Sequence, residues 1–398
     1  MVEVLNILWI AFQVMLGYNL VFPLLLYILY KLSGKPKIAT AQGGDEPNDY
    51  AIIVTAYEQT YSLKAVVDSI QKLKYDNYLV YIVADKCDVT DLKFDDERVI
   101  VLRPEETLAS NTRSHFYAIN RFVRPHNILT IIDSDNLVHP DYLDELNRYF
   151  DAGYTAVQGV RDAKNLDTTY ACLDAARDIY YHFYDGKVLF AVGSSATLAG
   201  SGMAFTTSLY RQSLEHLDVT GAGFDKVLQA QILQRNLRIA FAEDAIVYDE
   251  KTTRSDQLVN QRARWINTWF KYFKLGFTII GSGIKNFSRN QIIFGLVLLR
   301  PPLFIFLILS VFCMFINLWV SLTAVIVWAL GFTAFVLGFV IALRSSHTDP
   351  RVYRSLKNIP VFMYYQLISL YNSRRANKRS VATQHYHEKS INDIIDKE

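Results

Sequence analysis

The chain has 398 residues, 51% of them apolar, and a formal charge of +2. The apolar residues are unevenly placed: 5–30 and 303–343 hold no Asp, Glu, Lys or Arg, whereas 50–260 reads as an ordinary soluble domain. This excludes a purely cytosolic enzyme, a disulfide scaffold and a disordered chain, and it disfavours a many-spanning transporter; the small charge gives no support for nucleic-acid binding.

Taken in chain order, Leu5–Tyr30 is long enough for a bilayer, which needs about 20 helical residues. It lacks a basic leader and a small-residue cleavage site, so a retained anchor is expected rather than a signal peptide. Lys31, Lys35 and Lys37 follow it and only Glu3 precedes it, which puts the N-terminus outside and the chain after Lys31 in the cytoplasm. Residues 34–49 read as a linker. Strand-length apolar runs follow at Tyr50–Thr55, Tyr78–Ala84, Val99–Leu102, Ile128–Ile132 and Ala156–Val160. Helical periodicity lies between them at Thr60–Leu73, Ser110–Phe122 and Pro140–Phe150. The alternation predicts an α/β domain with a Rossmann-like, mostly parallel sheet, whose ligands bind beyond the carboxyl ends of the strands.

Leu303–Leu343 predicts two more spans with a turn near Trp319–Thr323, and Arg300-Pro301-Pro302 ends the segment before them. Residues 283–300 are expected to approach along the membrane interface, and Val361–Tyr371 to lie on the surface, being too short to cross. The basic Arg374, Arg375, Lys378 and Arg379 suit either anionic lipid or a solvated tail. The expected organisation is a 1–33 anchor, a 34–49 linker, a 50–260 cytoplasmic domain, 261–300 interfacial helices, a 301–343 pair of spans and a 344–398 cytoplasmic tail.

The polar residues at the strand ends are Thr55, Ala56 and Glu58, then Asp85, then Asp133-Ser134-Asp135. Two carboxylates at a rigid strand end suit a hard divalent cation on a diphosphate, and a solvated strand end explains them as well. Asp85 suits a nucleotide base or ribose, or a simple turn. Gly200-Ser201-Gly202 allows close backbone approach to a ligand, or a bare turn. Asp225 reads as a helix first-turn residue or a general base. Gln261-Arg262-Ala263-Arg264-Trp265 is more specific: Gln261 and Arg264 share a helix face, arginine suits phosphate and tryptophan suits a sugar ring. An amphipathic interface helix fits the same block. Cys87, Cys172 and Cys313 form no C-x-x-C pair, and His385 and His387 read as solvated.

The ordered set resembles the membrane-integrated glycosyltransferases of family 2. That group includes cellulose, chitin, hyaluronan and poly-N-acetylglucosamine synthases and ceramide glucosyltransferases. The set runs Thr-Ala-Tyr-Glu, Val-Ala-Asp-Lys-Cys-Asp, Asp-Ser-Asp, Gly-Ser-Gly-Met-Ala-Phe, Phe-Asp-Lys and Gln-Arg-Ala-Arg-Trp, over about residues 50–275. The resemblance implies a GT-A-type fold and an inverting, metal-dependent transfer of a hexosyl group from a nucleotide-sugar, by family expectation a UDP-sugar. Thr55, Ala56, Glu58, Asp85, Arg113, Asp133, Ser134 and Asp135 would bind the donor, with Mg²⁺ or Mn²⁺ on Asp135. Gly200, Ser201, Gly202, Gln261, Arg264 and Trp265 would hold the acceptor and diphosphate, and Asp225 would be the catalytic base. The partners implied are a polysaccharide or lipid acceptor, membrane lipid and, since three spans barely enclose a pore, a second copy or partner subunit. The expected location is a bacterial inner or plasma membrane. Growing polysaccharide is the expected product; a single sugar placed on a membrane lipid, giving a glycolipid or a glycosylated polyprenyl phosphate, is the alternative, and a non-catalytic scaffold the rival. Two departures stand out: Phe224 replaces the family's glutamate before the base, and Lys226 follows it. Glu243-Asp244 is a literal Glu-Asp pair, but its spacing to Gln261 favours Asp225.

Overall fold

A computed structural model describes residues 2–34, 38, 47–376 and 389–395 of the chain. Lys35, Lys37, Lys378, Arg379, His385 and His387 therefore lie outside the described residues, as does the side chain of Arg375. The strands are β1 Tyr50–Tyr57, β2 Tyr78–Asp85, β3 Val99–Leu102, β4 Ile128–Asp133, β5 Leu137–Val138, β6 Ala156–Ala163, β7 Met203–Thr206 and β8 Ala240–Asp249. They form one sheet in the order β3-β2-β1-β4-β7-β6-β8-β5. β1 pairs in parallel with β2 and β4, β2 with β3, and β6 with β8; β7 runs antiparallel between β4 and β6, and β5 antiparallel to β8.

The centre of the sheet follows from composition. Ile52, Ile53 and Val54 of β1 and Val80, Ile82 and Val83 of β2 are buried on both faces, as near-continuous apolar runs in parallel sheets must be. The register then fixes where the acids emerge, with Tyr57 opposite Asp85 and Thr55 opposite Asp133.

Three helices are long and apolar enough to cross a membrane: Glu3–Ser33, Leu303–Val320 and Leu322–Ser345. The turn between the last two falls at Ser321, within the expected stretch, and its hydroxyl accepts from the amide of Ala324. Gln13 ties the first span to the pair, its Oε1 accepting from Trp328 Nε1 at 2.9 Å and from Asn317 Nδ2. In a low-dielectric setting such internal pairing is what a polar side chain needs.

Residues 283–300 hold the end of one short helix, Leu275–Lys285, and the whole of a second, Arg289–Leu299, each of 11 residues. At ~16 Å apiece neither crosses a bilayer. They pack as a hairpin: a Cβ on Gly276 would lie 2.9 Å from the Gly295 carbonyl, and one on Gly295 equally close to the Gly276 carbonyl. The helix Ile359–Asn372 buries Phe362 and leaves Val361, Tyr364, Leu367 and Tyr371 outward. The segment Lys389–Ile395 returns to the α/β domain, with Ile391 buried and the Lys389 ammonium donating to the Lys164 carbonyl at 2.8 Å.

Candidate active site

At the strand ends, main-chain groups do most of the holding. The Asp85 carboxylate is buried and accepts both the Leu108 amide (2.9 Å) and the Ala109 amide (2.7 Å), so it fixes the loop before Asn111–Ile119. Glu58 and Lys86 both have positive φ, 61° and 55°, strained for residues with side chains. They join in an ion pair of 2.7 Å, and the Lys86 hydrogen bond lowers the Glu58 pKa. Arg113 pairs with Asp218 at 2.7 Å on the exposed surface.

β7 brings Gly200-Ser201-Gly202 beside β4. The Ser201 hydroxyl, fully buried, accepts from the Asp133 amide at 3.0 Å and from Asn136 Nδ2 at 2.7 Å, and thereby clamps the Asp133-Ser134-Asp135 turn from both ends. Gly202 (φ 64°) is required here, because a Cβ would press to 2.8 Å from Val247. Asp135 is buried, and Arg161 stands within electrostatic reach of both acids. Although burial pulls the Arg161 pKa down, Asp249, Asp133, Asp178 and Asp135 together raise it above its ordinary value. Among the described residues no group of three or more His, Cys, Asp or Glu could hold a metal. The chain thus offers two hard carboxylates, Asp133 and Asp135. That set fits Mg²⁺ or Mn²⁺, which take one or two carboxylates and complete their shell with phosphate oxygens and water.

Asp225 lies in the first turn of Phe224–Gln234, where an acid is favoured by the helix dipole. Gly223, at φ 102°, precedes it; a Cβ there would lie 2.5 Å from Thr268 of the helix Ser255–Tyr272. That close approach seats Asp225 against the helix carrying Gln261, Arg264 and Trp265. Phe224, in place of an acid, is buried edge-on against His115. Lys226 does point inward: its ammonium sits 3.0 Å from Asp225 Oδ2 and donates to the Leu198 carbonyl at 3.1 Å.

A cavity of about 800 Å³ joins these parts. It is lined by Asp133, Gly200, Asp225, Gln261, Arg264 and Trp265. Thr55, Ala56, Glu58, Asp85, Arg113, Ser134, Asp135, Ser201 and Gly202 stay outside its lining, along the strand-end rim and the clamp behind Asp133. Glu243, exposed and paired with Lys187, and Asp244, exposed, also lie outside it. From the polar end the cavity continues between Pro301, Leu307, Phe335, Val336 and Phe339, residues of the spans and their approach.

Its floor holds charge that sequence reading missed. Arg161 pairs with Asp249 at 2.5 Å, and the buried Lys251 with Asp249 (2.5 Å) and Asp178 (2.7 Å). Arg177 pairs with Asp178 and, at 3.3 Å, with Asp174, which also pairs with Arg262. Burial opposes it, yet Arg177 and Lys251 hold the Asp178 carboxyl well below the usual range. The guanidiniums of Arg177 and Arg262 both lie over the Trp265 ring, each 4.2 Å from its centroid. Cation–π contacts thus already engage the indole expected to carry a sugar. Gln261 accepts from Thr252 at 3.0 Å. Beside them a seven-residue π-helix, His182–Val188, widens the chain and sets His182, Asp185 and Gly186 on the cavity wall. Such widened turns gather at functional sites. A local signal existed: Asp174, Arg177 and Asp178 recur at helical spacing within Thr169–Tyr181, between residues that are otherwise apolar.

The sequence profile of the family described as "Glycosyltransferase like family 2" matches residues 47–268. Among solved structures, the mannosyltransferase PcManGT from Pyrobaculum calidifontis, in complex with GDP-Man and Mn²⁺, superposes with a TM-score of 0.55 at 16% identity. That match covers 92% of this chain and 98% of the other, and it shows the shared fold. Residues 1–349 of TarS from S. aureus give a TM-score of 0.42 at 14% identity, over 82% of this chain and 90% of that one. The same fragment in complex with UDP-GlcNAc gives 0.41. No curated protein matches.

Proposed function

The chain belongs to glycosyltransferase family 2, and from that premise we propose that it moves one sugar from a nucleotide-sugar, by family expectation a UDP-sugar, to a lipid acceptor at the cytoplasmic face of a membrane. The observation that carries this reading is the single cavity running from Asp133 and Asp225 to the apolar walls of the spans. A lipid entering from the bilayer would present its head group to the carboxylates while its chain stayed among Leu307, Phe335 and Phe339.

In this reading the strand-end residues from Thr55 to Asp135 receive the donor. Asp135, with Asp133, would hold Mg²⁺ or Mn²⁺, which when bound neutralises charge on the departing diphosphate. Arg264, on the cavity wall, adds a fixed cation for the same oxygens. Asp225 faces the acceptor and accepts its proton as the acceptor oxygen bonds to the anomeric carbon. The bond from that carbon to the diphosphate breaks on the opposite face, and the transfer inverts. Positioning and charge stabilisation supply most of the acceleration.

Gln261, Arg264 and Trp265 on the same wall favour a second reading, in which successive sugars extend a polymer and a second copy completes the export path. Mass analysis of the product separates the two. The lipid reading predicts a mass increase of one sugar per lipid; a ladder of sugars would replace it with the polymer reading.

A further inference from the structure

We propose that the segment Lys389–Ile395 is a strap that holds the Asp133-Ser134-Asp135 turn in shape to take up a divalent cation, with Lys164 as the positioning residue between them. The proposal rests on the reading of those two carboxylates as the metal-binding end of the donor site.

A short segment beyond the spans stays on a domain only where something ties it down. Local chemistry and burial both do so here. Ser390 and Asp393 cap each other: the Asp393 carboxylate accepts from the Ser390 amide at 2.9 Å, and the Ser390 hydroxyl accepts from the Asp393 amide at 3.4 Å. That reciprocal pairing starts the helical turn Asn392–Ile395. Ile391, just before it, is 1% exposed and belongs to the main core cluster, against which Ile394 and Ile395 also pack. Removal of an isoleucine from water gives the contact an apolar anchor that surface charge alone would not supply.

The strap joins the two flanks of the acidic turn. On one flank Lys72, just past the helix Leu63–Ile70, donates to Asn392 Oδ1 at 2.7 Å. The same helix holds the strand that follows the turn, since the Ser69 hydroxyl accepts from the Val138 amide at 3.0 Å. On the other flank Lys389 donates to the Lys164 carbonyl, and the Lys164 amide donates to the Asp249 carbonyl at 2.8 Å. Lys164 is thus fixed at both of its main-chain groups. It is 3% exposed, and its ammonium donates to the Asp135 carbonyl at 3.4 Å.

The Ser201 hydroxyl holds the turn at the Asp133 amide and at Asn136, and Lys164 holds the carbonyl between them. Mg²⁺ and Mn²⁺ demand near-ideal geometry from the few carboxylates they take, and the groups that orient those carboxylates set much of the affinity. None of the described residues 389–395 lines the cavity, nor do Lys72 and Lys164. The strap therefore leaves the cavity open and acts on the turn from outside it, as a support rather than a plug.

The test uses the full chain in detergent. Hydrogen exchange reads docking directly: the amides of Ile394 and Ile395, both bonded to the Ile391 carbonyl, should be protected, and Ile391→Asp should expose them. Mn²⁺ binding, followed by loss of the free-ion spin-resonance signal with UDP or GDP present, needs no turnover. Ile391→Asp should raise the Mn²⁺ dissociation constant roughly 5- to 30-fold, within the ordinary range of coupling between two sites. Reciprocally, Mn²⁺ with nucleotide should slow exchange at Ile394 and Ile395 in the unaltered chain. Lys389→Met, a milder change, should move the constant the same way by less. Lys164→Met should raise it too, and Ile391→Asp added to that variant should do less than it does alone. In turnover the metal requirement should shift while the acceptor KM stays put. An unchanged Mn²⁺ constant in Ile391→Asp with the amides exposed overturns the proposal, and so does a lower one, which would make the segment a brake. Unprotected amides or no Mn²⁺ binding in the unaltered chain overturn it as well. Absence of turnover with the Mn²⁺ coupling intact would overturn the transferase reading and leave the strap standing.

Discussion

The strand-end rim and the arginine floor both carry charge, but they are built differently. On the rim each acid ends its own strand and is located by the main chain: Asp85 through the amides of Leu108 and Ala109, Asp133 through the Ser201 clamp on its amide. On the floor, side chains hold side chains, in the chain of contacts from Arg161 through Asp249, Lys251 and Asp178 to Arg177, Asp174 and Arg262. Backbone-anchored groups keep their place when a neighbour changes, whereas a side-chain network stands or falls together. The rim therefore keeps a fixed geometry, whereas the floor can rearrange only as a unit.

Substitutions should separate the two regions. The largest effect belongs to the rim: Asp135→Ala should lower metal-stimulated turnover by at least about 10³-fold, measured as nucleoside-diphosphate release, with the melting temperature preserved. Asp225→Asn, between the two regions, should lower turnover by about 10²–10⁴-fold, and near-full activity in that variant would remove it as the base. On the floor the loss appears as stability. Asp174→Asn leaves Arg262 buried beside Arg177 without its carboxylate and should destabilise by about 3–5 kcal/mol in denaturant unfolding, more than Arg177→Gln, after which Asp178 keeps Lys251 and Asp174 keeps Arg262. Equal losses for these two would mean that Asp174 and Asp178 depend on Arg177 as much as Arg262 depends on Asp174.

The smallest effect is in pH. Burial lowers His182, on the cavity wall, to about 4, and His115, away from it, to about 3. Above pH 6.5 both are neutral whether the chain is folded or not, so their contribution is fully present. Below that the unfolded chain takes up two protons that the folded chain refuses, and stability falls as pH drops from about 6.5 toward 4. Melting curves across that range should show the decline, and His115→Phe should make it shallower.

What was legible in the sequence follows the same division. β1, β2 and β4 are buried on both faces, so their apolar runs announced them and their ends pointed to Glu58, Asp85, Asp133 and Asp135. β8 was missed because Glu243 and Asp244 interrupt it, both exposed mid-strand, and it delivers Asp249 and leads to Lys251. The π-helix has no compositional mark beyond Gly186, where a Cβ would lie 2.4 Å from Phe241. Arg262 stood inside the quoted Gln261–Trp265 block with no task, because its partners Asp174 and Arg177 are remote in sequence. Spacing along one element is visible in a sequence; the meeting of four elements around a cavity is not.

The central claim is sugar transfer from a nucleotide-sugar, and nucleoside-diphosphate release tests it most directly. The purified full chain in detergent would be offered UDP- and GDP-sugars with Mg²⁺ or Mn²⁺ and a lipid acceptor. The account predicts metal-dependent release from one donor, abolished in Asp135→Ala. Silence across the panel, with no donor bound, would contradict it and leave the chain a non-catalytic member of its family.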